Sequence, residues 1–198
     1  LFRAQIHALI VDLVVNDDRH GNHPHAPLDS LLLGDAAVAV GALAQAGLAA
    51  REIKARLEEA GGDSLIYIGV DTLEYLKRGG RITPAVAAMG SVLNIKPLLA
   101  IRGEKLDTFA KVRGTKRCKT LLLESMRRSV DEYRQRGLDI RVDAAGSFES
   151  QEEAQAWQDM AAQAFPGEEI QYDPLSLSIG SHTGPGAFAM GISRRIVA

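Results

Sequence analysis

The residues best equipped for chemistry stand together in Gly180-Ser181-His182-Thr183-Gly184-Pro185-Gly186. Glycines and a proline allow a tight backbone with its N–H groups exposed, which favours an anion. Ser181 and Thr183 add hydroxyls, and His182 adds an imidazole that can donate to a carboxylate. The segment has the parts of a carboxylate- or phosphate-binding loop, with Gly180 and Gly184 presenting backbone. It is not a Walker loop, because no Gly-Lys-Ser/Thr ends it. It is not a nucleophile elbow either, because Gly-x-Ser-x-Gly is absent. A purely structural turn would use the same glycines.

Two further segments carry cations beside glycines. Leu76-Lys77-Arg78-Gly79-Gly80-Arg81-Ile82 could bring backbone and charge to an anion, or simply end a solvated helix. Lys111-Val112-Arg113-Gly114-Thr115-Lys116-Arg117 joins a predicted strand to a predicted helix, with Thr115 as the expected N-cap. Basic side chains at a helix start oppose its dipole, so an anionic partner would account for them. Long cationic side chains such as Lys116 and Arg117 also suit docking to an acidic protein surface.

Other chemistry is thinly supplied. The single cysteine, Cys118, cannot close an intramolecular disulfide, which fits a reducing, cytoplasmic setting. Its neighbours Lys116, Arg117 and Lys119 would lower a thiol pKa, though a buried helix residue is the plainer reading. His20, His23 and His25 lie in a polar loop, but their spacing is not a helical pair and no Cys or Glu cluster joins them. No metal is expected. Aliphatic residues gather at Met89, Val92, Leu93, Ile95, Leu98 and Ile101, and Phe188 and Met190 follow the glycine-rich loop. They could line a lipid slot or fill an ordinary core.

Periodicity places these segments on alternating elements. Leu9–Val15, Ser64–Val70, Leu138–Ala144, Glu169–Tyr172 and Leu175–Ile179 read as strands. Lys96–Arg102 and Asp107–Arg113 read as a hairpin about Gly103-Glu104. Helices are expected over Leu31–Ala46, Ala49–Ala60, Leu73–Lys77, Pro84–Leu93, Thr115–Arg136 and Ser150–Phe165. The long helix carries the stripe Leu122, Met126, Val130, Tyr133. The alternation predicts an α/β domain of α+β character, with a mixed, partly antiparallel sheet flanked by helices.

The chain is long enough, at 198 residues, to bury a sizeable core without a metal or disulfide. A formal charge of −2 gives no support to a general nucleic-acid binder. No apolar run approaches a membrane span, so no stable membrane anchor is expected. The chain opens Leu-Phe-Arg without Met, which suggests processing or a fragment.

Four segments, taken in order, resemble the DegV family. They are Asp71 to Ile82, Gly90 to Leu99, Lys111 to Arg117 and Ile179 to Gly186, with Pro27-Leu28-Asp29-Ser30 and the Ala-rich stretch after it as weaker support. The resemblance covers about residues 27–198 as a C-terminal lipid-binding domain. Residues 1–26 are unmatched, a remnant of a first domain at most, and the Ser-Gly-Thr motif of the family's first domain does not precede Asp29. The resemblance implies a two-domain α/β protein that encloses one long-chain fatty acid. It further implies a carrier rather than an enzyme, without a cofactor, that presents the acid to a fatty-acid kinase catalytic subunit for acyl-phosphate formation. It would put Ser181, His182 and Thr183 near the carboxylate, with Gly180, Gly184 and Arg113 beside them. The segment running on to Lys116 and Arg117 would lie at the carboxylate mouth or the kinase-docking face. Leu93, Ile95, Leu98, Phe188 and Met190 would line the tail slot. Two competing readings are an enzyme of dihydroxyacetone-kinase-like fold, with His182 as nucleophile or base, and a truncated interaction module.

Overall fold

The computed structural model describes residues 39–79, 95–102 and 105–196. The expected strand at Leu9–Val15, the loop with His20, His23 and His25, and the helix over Pro84–Leu93 lie outside those residues, as do Leu93 itself and the Gly103-Glu104 turn.

Residues 39–45 are helical (α1), and α2 follows over Ala50–Gly61. Then come β1 (Leu65–Gly69), α3 (Glu74–Arg78), β2 (Ile95–Arg102), β3 (Lys105–Arg113) and α4 (Thr115–Gln135). The chain continues through β4 (Ile140–Gly146), α5 (Gln151–Ala164), β5 (Gln171–Pro174), α6 (Leu177–Thr183) and β6 (Phe188–Arg194). The strands form one sheet in the order β3-β2-β1-β6-β4-β5. Every described pairing is antiparallel except β4 with β5. Central strands bury both faces, which is why β1 and β6 read as nearly continuous apolar runs.

One face of the sheet packs on α4 and α5. Leu98, Tyr67, Phe188, Met190, Val142 and Ala144 meet Leu122, Met126 and Val130 of α4 and the fully buried Trp157 of α5. The expected stripe of α4 is the buried one, extended by Cys118 a turn earlier. The other face carries Ile66, Ile68, Val70, Leu99, Ile101, Ala145 and Ala189, covered in part by Leu73 and Leu76 of α3 and Ile179 of α6. A smaller cluster joins Val40, Leu43 and Ile53 of α1 and α2 to Ile196.

Local chemistry explains the boundaries. Ser150 caps α5, its Oγ accepting from the Glu153 N–H at 3.2 Å. Thr115 does not cap α4: Gly114 stands at the cap with φ +83°, a conformation that suits glycine, and Thr115 is the first helical residue. The largest departure is Leu175–Ile179. Leu-Ser-Leu-Ser-Ile alternates as a strand would, yet Ser176 caps a helix, Leu177 is almost wholly exposed, and Ile179 and Thr183 turn inward four residues apart. Thus Gly180 to Thr183 are the last turn of α6 rather than part of a loop. The tight turn itself is confined to Gly184–Gly186.

Candidate functional site

Strand direction gathers the motifs at one end of the sheet. Gly69 closes β1 opposite both Leu98 and Phe188, Gly146 closes β4 opposite Phe188, and Ile95 opens β2 opposite Arg113, the last residue of β3. The segments that leave these ends are α3, the start of α4, the Ser147 turn and the end of α6. The glycine-rich segment, residues 76–79 of the first basic segment and the second basic segment therefore share one pole, although the outer two lie about a hundred residues apart in sequence.

Two of them are in direct contact. A side-chain carbon built on Gly79 would stand 2.9 Å from Cε1 of His182 and closer still to its Nδ1. One built on Gly184 would stand 3.0 Å from Cγ of Tyr75, with the ring's Cδ2 and Cε2 nearer. Each ring rests on a bare glycine of the other segment. Gly184, at φ +77°, also needs glycine for its backbone. The His182 imidazole is half-buried and finds no hydrogen-bond partner among the described residues.

The neighbours of His182 differ. Ser181 is exposed. Thr183 is buried, and its hydroxyl donates to the Ile179 carbonyl at 3.1 Å, so its one proton serves the helix. The turn beyond is held by Ser147, whose Oγ donates to the Gly184 carbonyl at 2.6 Å and accepts from the Ala187 N–H at 3.1 Å. Two backbone bonds reinforce it, from Gly186 N to the Ser147 carbonyl at 2.7 Å and from Ser147 N to the Ala187 carbonyl at 2.9 Å. Nothing in the spacing of Ser147 marks it beforehand. Close by, Lys96 donates to the Asp71 carbonyl at 3.1 Å and pairs with its carboxylate. A carbon on Gly186 would stand 3.8 Å from Asp71 Cβ.

Arg113, Lys116 and Arg117 are all exposed and make no ion pair with a described residue. No acidic residue occupies the first turn of α4, so cations and unpaired helix N–H groups face solvent together. β3 lies two strands from β1, roughly 10 Å away at the usual strand spacing. Arg113 therefore does not share the immediate surroundings of His182.

The aliphatic candidates divide between the two faces. Leu98, Phe188 and Met190 pack against α4 and α5, on the far side of the sheet from α3 and α6. The Phe188 ring lies across Gly69, where an added carbon would stand 2.5 Å from Cε2, and meets Trp157 edge-on at 5.4 Å. By strand alternation Ile95, half-buried, falls on the α3–α6 side with Leu99 and Ile101.

Cys118 is the buried helix residue of the plainer reading, and its basic neighbours do not lower its thiol pKa. It is fully buried, and burial pushes its thiol up to about 11, with nearby Lys96 opposing that rise only in part. Lys119 sits 5.0 Å from the Phe148 ring centroid, 5.5 Å from that of Trp157 and 5.4 Å from that of Phe188. Burial lowers its pKa, and Glu153 acts against that.

Among the described residues no helix is long and apolar enough to cross a membrane.

Relatives share this architecture. A DegV domain-containing protein of Streptomyces coelicolor is 32% identical over 167 residues, covering 84% of this chain and 57% of its own length. One of Clostridium perfringens is 33% identical over 140 residues, covering 70% of this chain and 46% of its own. The chain thus spans about half the length of the curated relatives it matches. A fatty-acid-binding DegV family protein from Thermus thermophilus superposes with a TM-score of 0.66 at 30% identity, covering 82% of this chain and 56% of that one. The family profile described as "Uncharacterised protein, DegV family" matches residues 28–195. With its fold, its polar segments and most of its length accounted for in this way, the chain belongs to the DegV family.

Proposed function

We propose that this chain binds one long-chain fatty acid and presents it to a fatty-acid kinase catalytic subunit, without catalysing a reaction itself. The acid's carboxylate lies at the junction of α3 and α6, where His182 donates to it. Ser181 supplies a further hydroxyl, the open space at Gly180 and the turn at Gly184 let the head group approach, Thr183 holds the turn, and Arg113 draws the anion inward from the rim. The tail runs along the α3–α6 face, past Ile95, over Ile68, Leu99 and Ile101. Leu98, Phe188 and Met190 back the sheet from behind. The observation that carries this reading is the half-buried imidazole at the edge of an aliphatic sheet face, without a protein hydrogen-bond partner among the described residues. A polar group so placed gains most from a ligand that brings its own acceptor. The fatty acid bound by the Thermus thermophilus relative supplies the ligand class.

The energetics favour a carrier. Burying about ten methylenes at ~0.8 kcal/mol each gives roughly 8 kcal/mol gross, before the cost of association. The polar end then has to select rather than hold. His182→Ala should weaken palmitate by about 1.5–3 kcal/mol, the contribution of one charge-assisted hydrogen bond, and leave hexadecan-1-ol nearly unchanged. Titrating both ligands against both proteins decides it. Equal losses would assign His182 to packing, and no loss for either would remove it from the site.

A further inference from the structure

The contact between Gly79 and His182 is a matter of space alone, because Gly79 has no conformational need to be glycine. Its φ of −76° and ψ of −2° are open to any residue. Only space excludes a side chain, and the imidazole fills that space: the Nδ1–Cε1 edge lies where a Cβ would be. The Tyr75 carbonyl oxygen, 3.4 Å from the same point, closes the other side. That oxygen accepts from the Gly79 N–H at 2.9 Å, so the wall is itself fixed by the last turn of α3. Tyr75 in turn lies against Gly184, one residue beyond the helix that carries His182. The imidazole is therefore seated in a slot whose floor is a bare Cα. Its Nδ1–Cε1 edge lies against that floor, and Nε2 stands farther from it.

We infer that Gly79 is a positioning residue for His182, and that its missing side chain sets the discrimination between a carboxylate and a neutral head group. A methyl at position 79 pushes the ring out of its slot and turns Nε2 away from the ligand's oxygen. The tail, bound along the sheet, is untouched. This rests on the proposed function in one respect, that Nε2 of His182 faces the head group.

The test is a cycle of four proteins: the native chain, Gly79→Ala, His182→Ala and the double variant. Each is unfolded in urea and titrated with palmitate and with hexadecan-1-ol. Gly79→Ala should weaken palmitate by roughly tenfold, as expected when one charge-assisted hydrogen bond is misaligned, and leave hexadecan-1-ol within about twofold. It should also shift the Cε1–H proton resonance of His182 and lower the urea midpoint. In the His182→Ala background the same substitution should do none of this, because the methyl then occupies vacated space. If Gly79→Ala alone does not fold, recovery of folding in the double variant gives the same answer. Equal effects of Gly79→Ala in the two backgrounds, or equal losses of acid and alcohol, would overturn the proposal. If His182→Ala itself fails to separate acid from alcohol, the carboxylate reading falls instead. The stability coupling between positions 79 and 182 then still decides whether Gly79 seats the ring.

Discussion

Removing one hydroxyl, in Ser147→Ala, should cost more than its size suggests. In the native chain Ser147 Oγ accepts from the Ala187 N–H at 3.1 Å and donates to the Gly184 carbonyl at 2.6 Å. Ala187 is wholly buried. Alanine leaves that N–H without its acceptor, a cost of about 1–3 kcal/mol for a buried unsatisfied group. The Gly184 carbonyl loses its short bond as well, since the Thr183 hydroxyl 3.5 Å away already gives its proton to Ile179, which costs about 0.5–1.5 kcal/mol more. The two effects share one small turn and do not add fully, which gives roughly 2–3 kcal/mol. The backbone bonds between Ser147 and residues 186 and 187 survive, so the turn should keep its shape. At about 2–4 °C per kcal/mol for a chain of this length, the melting temperature should fall by roughly 5–10 °C. Urea unfolding followed by Trp157 fluorescence measures the loss, and an unchanged slope would place it in the native state. A loss under about 0.5 kcal/mol would match an ordinary surface substitution and refute the claim that this hydroxyl fixes the turn after His182.

Other outcomes follow from the same geometry. Gly69→Ala should destabilise by about 1–3 kcal/mol through overpacking against the Phe188 ring, and a smaller residue at 188 should relieve much of that loss; equal losses in both backgrounds would exclude the ring as the obstacle. The Cys118 thiol favours its protonated form in the fold, so its contribution to stability is complete below pH 9.0 and is lost as pH rises toward about 11. Replacing it with alanine should flatten that part of the stability–pH curve, and an identical curve would rule the thiol out. Reversing Lys116 and Arg117 to Glu should reduce kinase-dependent acyl-phosphate formation while palmitate stays bound; loss of palmitate instead would place these side chains in the ligand site.

What the sequence disclosed follows from how local each cause is. The stripe Leu122, Met126, Val130, Tyr133 repeats every three or four residues, and that repeat alone determines the buried side of α4. The β2–β3 hairpin was legible in the same way, from two short runs around Gly103-Glu104. Leu175–Ile179 was misread because five alternating residues suit a strand and a capped helical turn equally; the decision lay with Ser176 as cap and Gly184 as terminator, both acting at the ends. Cys118 follows the plainer of its two readings, because Lys116 and Arg117 lie on the exposed side of the helix while its own side faces the core. The seating of His182 on Gly79 spans about a hundred residues, and no period or spacing encodes such a contact. The motifs named both residues, and only the fold made them neighbours.

The place of β6 in the sheet also has a consequence for how the chain acquires its structure. It lies between β1 and β4, antiparallel to both, although more than forty residues separate it from the nearer of them in sequence. Until residues 188–194 leave the ribosome, β3-β2-β1 and β4-β5 have no strand between them, and among the described residues only packing such as that of α4 spans the gap. Closure therefore waits for synthesis past Arg194, and the barrier should be dominated by loop closure over long separations. In the interval the inner edges of β1 and β4 offer unpaired backbone to any extended strand nearby, including that of another nascent copy. Phe188 and the glycine turn before it enter at the same moment, so the pole that carries His182 takes shape only when the sheet is joined.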